Sequence, residues 1–428
     1  MQLRVSDNRR YLVHSDGRPF FWLGDTAWEL FHRLDREEAD FYLRTRAEQG
    51  FTLIQAVVLA EHRFDEPNAY GHHPLFCYDP TQPMEAYFEH VDWVVDRAAE
   101  LGLWTGLLPT WGDKWNRKWG QGPELFTPEN AAVYGEWLGR RYADRPIVWI
   151  LGGDRPVEND QHRAIVRAMA KGLRQGDGGR GLMTFHPCGQ QTSAQYFHGD
   201  DWLAFNMYQT GHSRERKPWQ SIAADYAREP AKPCLDGEPG YEDHPDRFKP
   251  ENGYLDQHDV RRFLWWDLFA GACGHTYGCH DIWQFFGPGR APITAARTPW
   301  RQAITLPGAG QMRHARRLLE ARPFLERVPD QAIIAAGQSD GYAHLQATRA
   351  SDGSWGAVYF AEGTPATIYL GRFAGPVRAA WYDPRTGASQ VIGEYPAQET
   401  ARFTPPSSGR GQDWVLVLDV VARGFALP

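Results

Sequence analysis

Two carboxylates stand where the chain could turn sharply and present them. Residues 149–156 read WILGGDRP, an apolar run closed by two glycines and then Asp154. Residues 235–242 read LDGEPGYE, in which Gly237 and Pro239 flank Glu238. Acids at turns are common, because Asx side chains cap turns and helix starts, and Glu238 could likewise be an exposed turn acid. Facing carboxyl groups are also what glycosidic cleavage requires. One protonates the leaving oxygen while the other attacks or activates water, with retention at a separation of roughly 5–5.5 Å and inversion at roughly 6.5–9.5 Å. The glycines before Asp154 let the backbone turn tightly, and they are expected to clear space beside the acid for a sugar. The choice between these readings depends on whether the fold brings the two acids together.

From Phe20 to about Pro329, short apolar runs alternate with amphipathic helical patterns. The strand candidates are residues 20–25, 52–59, 104–111, 146–154, 182–187, 202–208, 232–238 and 275–283. Helix signals lie between them. Asp35 with Glu38 three residues on is a capping box that opens a helix stopping at Gly50. Thr127 with Pro128 marks another helix start. Buried, apolar strands alternating with helices predict a (β/α)8 TIM barrel over residues 1–330. A doubly wound sheet is the alternative, but no GxGxxG follows the first strand. After Pro329 the pattern changes to short runs split by Gly, Pro, Asp and Ser, which predicts a C-terminal antiparallel β-sandwich domain over 331–428, packed on the barrel as a structural unit.

Active sites of such barrels lie at the C-terminal ends of the strands, and those ends carry the chemistry here. In strand order they supply Asp25, then Glu61 and His62, Trp111 with Asp113, Asp154 and His186. Asn206 and Tyr208 follow, then Asp236, Glu238 and Glu242, and finally His280, Asp281 and Trp283. The fourth and seventh strands face each other across a barrel mouth, so Asp154 and Glu238 can meet over one bond. Asp236, two residues before Glu238 on the same strand face, is expected to orient it from behind. Asp25 is expected to bind sugar hydroxyls or to cap the next helix. Trp111, Tyr208 and Trp283 are candidate stacking platforms, and His186 and His280 candidate hydroxyl ligands. His72, His73, Trp115 and Trp119 are expected to shape the entrance. Core packing is the competing reading for each aromatic.

Composition narrows the class. Aromatic residues make up 14% of the 428-residue chain, enough to serve both cores and sugar-stacking faces. A net charge of −7 without a basic run argues against a nucleic-acid partner. The five cysteines are an odd number without CxxC spacing, so neither a disulfide framework nor a zinc ribbon is signalled, and no metal or other cofactor is expected. The first residues lack the apolar core of a signal peptide, and no stretch is long and apolar enough to span a membrane. The expected protein is cytoplasmic, with an oligosaccharide or glycoside as its partner and no signal for an oligomeric state.

The segments DGRPFFWLGDTAW, PIVWILGGDRP, DGEPGYE and LPGAGQMRHARRLLEARPF resemble the apiosidase-like family, glycoside hydrolase family 140, within the clan of retaining (β/α)8 glycosidases. The resemblance covers residues from about 10 to 425. It implies a barrel joined to a C-terminal β-domain, with Asp154 as general acid/base and Glu238 as nucleophile of a double displacement. It also implies exo action on a terminal apiose-like or other furanosyl or pentosyl residue of plant-derived glycosides. The wider clan carries Asn-Glu at the fourth-strand position, whereas this chain has Gly153-Asp154. Two rivals remain at this level. One is a metal-dependent barrel hydrolase using His186 and Asp281, although the HxH of the first strand and the Lys of the fourth are missing. The other is a non-catalytic carbohydrate-binding protein on a glycosidase scaffold.

Overall fold

In the computed structural model, which describes residues 2–397 and 399–427, the first strands form a small antiparallel sheet, Leu3–Val5, Leu12–His14 and Pro19–Phe20. Phe20 meets Trp104 at 5.8 Å between ring centroids, so this sheet covers the N-terminal end of a barrel. Its eight parallel strands are β1 (Trp22–Thr26), β2 (Leu53–Leu59), β3 (Trp104–Thr110), β4 (Ile147–Gly152), β5 (Met183–His186), β6 (Asn206–Tyr208), β7 (Cys234–Asp236) and β8 (Gly274–Tyr277). Every residue of all eight is buried. The ladder runs β5-β4-β3-β2-β1-β8-β7-β6, with Tyr277 opposite Asp25 and Asp236 opposite His275.

The barrel closes between β5 and β6 without a full ladder. Ala204 N donates to Met183 O at 2.8 Å and Thr184 Oγ1 to Phe205 O at 2.7 Å. Further up, the chain leaving β5 turns back and takes the open edge of β6. Ser193 N donates to Met207 O at 2.9 Å, and Gln190 N to Gln209 O at 2.7 Å. The strands stop short of the sequence reading where their partners stop. The eighth ends at Tyr277, and His280–Trp283 form a short helix instead.

The helices lie outside this barrel: α1 (Arg36–Glu48), α2 (Glu85–Glu100), α3 (Pro128–Tyr142), α4 (Asp160–Gly176), α5 (Pro218–Tyr226), α6 (Gln257–Ala270) and α7 (Pro307–Glu320). Asp35 does cap α1, accepting from Glu38 N at 2.8 Å. The reciprocal half of the expected capping box is lost, because the Glu38 carboxylate turns to Arg290 at 3.2 Å. Thr127 and Asn130 form the full box at α3. Among the described residues no helix is long and apolar enough to cross a membrane.

The C-terminal strands are β9 (Arg327–Pro329), β10 (Ile334–Ala336), β11 (Leu345–Ala350), β12 (Trp355–Phe360), β13 (Ala366–Tyr369), β14 (Val377–Tyr382), β15 (Ser389–Tyr395), β16 (Thr400–Phe403) and β17 (Trp414–Val420). They form an antiparallel six-stranded sheet, β9-β11-β12-β17-β14-β15, and a three-stranded sheet, β10-β13-β16. Strand β9 lies before residue 330 yet pairs with β11, so the C-terminal sheet begins inside the stretch expected to belong to the barrel. Alternation decides what each face covers. Leu345, Val358, Phe360, Leu416 and Leu418 pack with Ile368 and Phe403 of the small sheet. Trp355, Tyr359, Tyr382, Val415 and Val417 join the barrel core.

Helix α6 is caught between these layers, which buries every residue from His258 to Ala270, the charged ones included. Trp265 stacks on Tyr359 at 6.0 Å and 17°, and Trp266 Nε1 donates to His344 O at 3.0 Å. Arg261 reaches Asp413 with two bonds of 2.6 and 3.1 Å, both side chains nearly free of solvent. Removing one partner of a buried ion pair costs about 3–5 kcal/mol, because the other charge stays buried and unpaired. Asp413→Ala should therefore lower unfolding stability in denaturant by about that amount, and the double variant Arg261→Met/Asp413→Leu should recover most of it. Equal losses in both would show that the pair itself, not the orphaned charge, matters.

Candidate active site

Strand β4 ends in three consecutive left-handed residues, Gly152 (φ 94°), Gly153 (φ 114°) and Asp154 (φ 54°). The glycines do not clear space for a sugar, as the sequence suggested. A Cβ on Gly152 would lie 2.4 Å from His186 O, and one on Gly153 would lie 2.8 Å from Gly112 N and 2.9 Å from Trp111 Cε3. They admit the neighbouring backbones, which then lock the turn: Gly153 N donates to His186 O at 3.1 Å and Gly112 N to Gly153 O at 3.0 Å. Asp154, which has a Cβ, carries strain of about 1–3 kcal/mol in this region. Its own bonds offset that. Its N–H donates to His186 Nδ1 at 3.3 Å. Its carboxylate accepts from Arg155 at 3.0 Å, Gln209 at 3.1 Å and Trp119 Nε1 at 3.3 Å.

Beyond β7 the chain turns at Gly237, whose N–H donates to Tyr208 O at 2.9 Å, and presents Glu238. Glu238 N donates to Asp236 Oδ1 at 3.1 Å, so Asp236 does sit behind it. Glu238 Oε2 lies 3.0 Å from His186 Nε2 and Oε1 lies 3.3 Å from His212 Nε2. Because Nδ1 of His186 accepts from Asp154, its ring proton sits on Nε2, facing Glu238. Oε2 itself is buried and has no further hydrogen-bond partner among the described residues.

The two acids are pulled in opposite directions. Burial raises the Asp154 pKa above the ordinary carboxyl range and the charge on Glu238 raises it further, outweighing Arg155 and His186. Burial would raise Glu238 too, but the ring N–H groups of His186 and His212 outweigh it and hold Glu238 well below its usual value. Such a split between neighbouring carboxyls separates acid from base roles. Below them, burial and the nearby Asp267 push Asp236 up to about 8, and Thr210 Oγ1 bonds its carboxyl group. Glu61 is pushed up to about 7 by burial, against the pull of Arg155 at 2.5 Å.

One cavity of about 550 Å³ gathers Asp154, Glu238, Trp111, His280 and Trp283 at the C-terminal mouth of the barrel, within the usual size range of ligand sites. His186 lies just beneath, bridging the acids. Two predicted site residues are elsewhere. Asp25 is wholly buried, paired with Arg46 at 2.6 Å and bonded by Tyr42 on α1, so it neither faces the cavity nor caps a helix. Tyr208 does not line the cavity; its side chain turns to Ser221 on α5. Of the entrance candidates, Trp119 reaches the mouth, Trp115 is buried, and His72 and His73 border a separate surface cavity with Phe76 and Tyr78. His212, Tyr241, Trp28, Glu29 and Gln209 also line the cavity, although no pattern in the sequence singles them out. They lie in loops beyond the strand ends, where periodicity gives no signal. Trp28 and Tyr241 do fall within recognisable motifs, DGRPFFWLGDTAW and DGEPGYE.

His186 and Asp281, paired in the metal-hydrolase rival, are not brought together as ligands. Asp281 accepts from Arg297 N and Thr298 N at 2.9 and 3.0 Å. Among the described residues the donor group close enough to hold an ion is Asp256, His258 and Asp259, and Arg410 pairs with both of its carboxylates.

The family described as apiosidase-like, catalytic domain, matches residues 6–326. A family described as a domain of a collagenase, credited with collagen binding, matches residues 328–419. Among solved structures, a protein described as a glycoside hydrolase family 5 from Bacteroides vulgatus is 34% identical, with 99% of this chain and 94% of that one covered and a TM-score of 0.92. A second, described as a glycoside hydrolase, is 33% identical over 99% of this chain and 98% of its own, with a TM-score of 0.91. A third, also from Bacteroides vulgatus, shares the fold at 16% identity and a TM-score of 0.69, over 98% of this chain and 82% of its own. No curated protein matches the chain.

The backbone contacts at Gly153 make a direct prediction. Gly153→Ala should cost about 1–3 kcal/mol of stability and displace Asp154. Turnover should then fall further than that of a Gly102→Ala control, whose Cβ would meet nothing within 4 Å. Equal activity in the two variants, measured beside their thermal unfolding, would contradict the packing account.

Proposed function

For a chain that belongs to the apiosidase-like family and is a glycoside hydrolase, we propose a retaining, exo-acting enzyme in the sense of family 140. It removes a terminal apiose-like or other furanosyl or pentosyl residue from glycosides. The observation that carries the proposal is the opposed shift of two carboxyls facing one cavity, Glu238 held below the ordinary carboxyl range and Asp154 raised above it.

The chemistry follows from that split. The Glu238 carboxylate attacks the anomeric carbon while Asp154 gives its proton to the departing oxygen, and the sugar becomes an ester of Glu238. Esterification removes the negative charge that raised the Asp154 pKa. Asp154, now ionised and surrounded by the N–H groups of Arg155, Gln209 and Trp119, takes a proton from the incoming water, whose oxygen attacks the anomeric carbon and frees Glu238. The acid of the first step is thereby the base of the second. A single cavity floored by the barrel suits a terminal residue, and the family description supports an apiose-like sugar.

A screen of aryl glycosides including apiosides and arabinofuranosides, with the first-formed anomer followed by NMR, tests the scheme; an inverted product refutes double displacement. Glu238→Gln should abolish turnover on every substrate. Asp154→Asn should lose about 10²–10⁴-fold with leaving groups that need a proton and far less with nitrophenolate, whereas uniform loss would count against an acid role. The pH dependence has a definite sign. Glu238 must be ionised to attack, and His212 helps keep it so. His212→Phe should raise the Glu238 pKa and move the acid limb of kcat/KM to higher pH; an unmoved limb would remove His212 from the account.

A further inference from the structure

Double displacement needs a place for the departing half of the substrate, and that place is fixed by the reading of Asp154 as the acid that protonates it. A proton donor must lie within hydrogen-bond reach of the atom it protonates, so the leaving group sits beside the Asp154 carboxyl, on its solvent side. Trp119 is there. Its Nε1 donates to Asp154 Oδ2 at 3.3 Å, the Arg155 guanidinium lies 4.8 Å from its ring centroid, and the residue is 62% exposed. One face of the indole rests on a buried cation, and most of the ring is open at the cavity mouth.

A lone exposed tryptophan is ordinary on a protein surface, but the loop carrying this one is firmly held. Asp113 and Lys114, both wholly buried, pair at 2.9 Å. Asp113 Oδ2 accepts from Gly122 N at 2.8 Å, Lys114 Nζ donates to Gly122 O at 3.1 Å, and Arg117 N donates to Glu124 at 2.8 Å. A Cβ on Gly120 would lie 2.4 Å from both Arg155 Nη2 and Asp113 Cβ, so the loop is drawn down onto the cation under the ring. Lys118 is left-handed at φ 40°. Two buried charges and a strained residue thus fix an indole that buries little area of its own. Holding a flat apolar face open beside the acid is useful only if something stacks on it.

We propose that Trp119 is the leaving-group platform of this enzyme, selecting aglycones with a flat apolar face, a sugar ring or an aryl group, over small alkyl ones. Stacking on an aromatic face adds binding beyond area burial, and here it acts on the half of the substrate that departs. The indole N–H, by contrast, serves Asp154.

The test compares kcat/KM for the 4-nitrophenyl and methyl apiosides, or the corresponding arabinofuranosides if the screen selects that sugar, across variants. Taking the ratio of the two substrates cancels any general loss of folded enzyme. Trp119→Ala should lower the aryl-to-methyl ratio by about tenfold, on the order of one aromatic contact. Trp119→Phe keeps a ring without the N–H and should hold the ratio near that of the parent enzyme. An unchanged ratio in Trp119→Ala overturns the platform. Asp154→Asn reports separately on the underlying assignment. Its ratio should rise, because nitrophenolate departs without a proton, and a ratio that does not rise removes the acid role itself.

Discussion

One imidazole ring ties the site together. His186 accepts from the backbone of Asp154 through Nδ1 and faces Glu238 Oε2 through Nε2 at 3.0 Å, so the ends of β4, β5 and β7 are spaced by a single rigid ring. Everything around it serves that spacing. Strand β5, which ends in His186, has only a partial ladder with β6, and the chain after it turns back to complete that edge. The ring also sets the charge states. Its proton faces Glu238 and keeps that group ionised, and the charge so retained raises the pKa of Asp154. Loss of the ring would disturb geometry and protonation together.

The turn that presents Asp154 shows how such a site is stabilised from outside. Three successive left-handed residues are unfavourable alone, yet β3 and β5 approach so closely that only glycines fit at two of them. The third is Asp154, held by hydrogen bonds of its own. Further out, the C-terminal sheet covers α6, which backs the seventh and eighth strands. His275 on β8 bonds Asp267 of α6 at 2.8 Å, and Asp236 beside it lies directly behind Glu238. The second domain therefore supports the barrel from behind.

The architecture is largely legible in the sequence because it rests on strand burial and helix caps that act locally. That Asp154 and Glu238 come together is legible because strand order alone places β4 opposite β7. Asp25 and Tyr208 show where that reasoning stops. At a strand end, consecutive residues point to opposite faces, and a shift of one residue decides between mouth and exterior. Asp25 faces outward to Tyr42 and Arg46, one helical turn apart on α1, and Tyr208 faces α5. His212 and Tyr241 are out of reach for another reason. They come from irregular loops whose path depends on tertiary contacts such as Gly211 N to Glu238 O at 3.2 Å. The eighth strand is shorter than its sequence implies: the HTYGCHDIW run continues past Tyr277, but the chain leaves the ladder at Gly278 and His280–Trp283 form a short helix.

The central claim is that the charge on Glu238 keeps Asp154 protonated in the resting enzyme. Carboxyl ¹³C NMR of aspartate-labelled protein, with Asp154 assigned by its absence in Asp154→Asn, measures this directly. The account predicts that Asp154 titrates above the ordinary value of about 3.9, and that Glu238→Gln brings its pKa down. An Asp154 that titrates at the ordinary value in the native enzyme, or that is indifferent to the loss of the Glu238 charge, would contradict it.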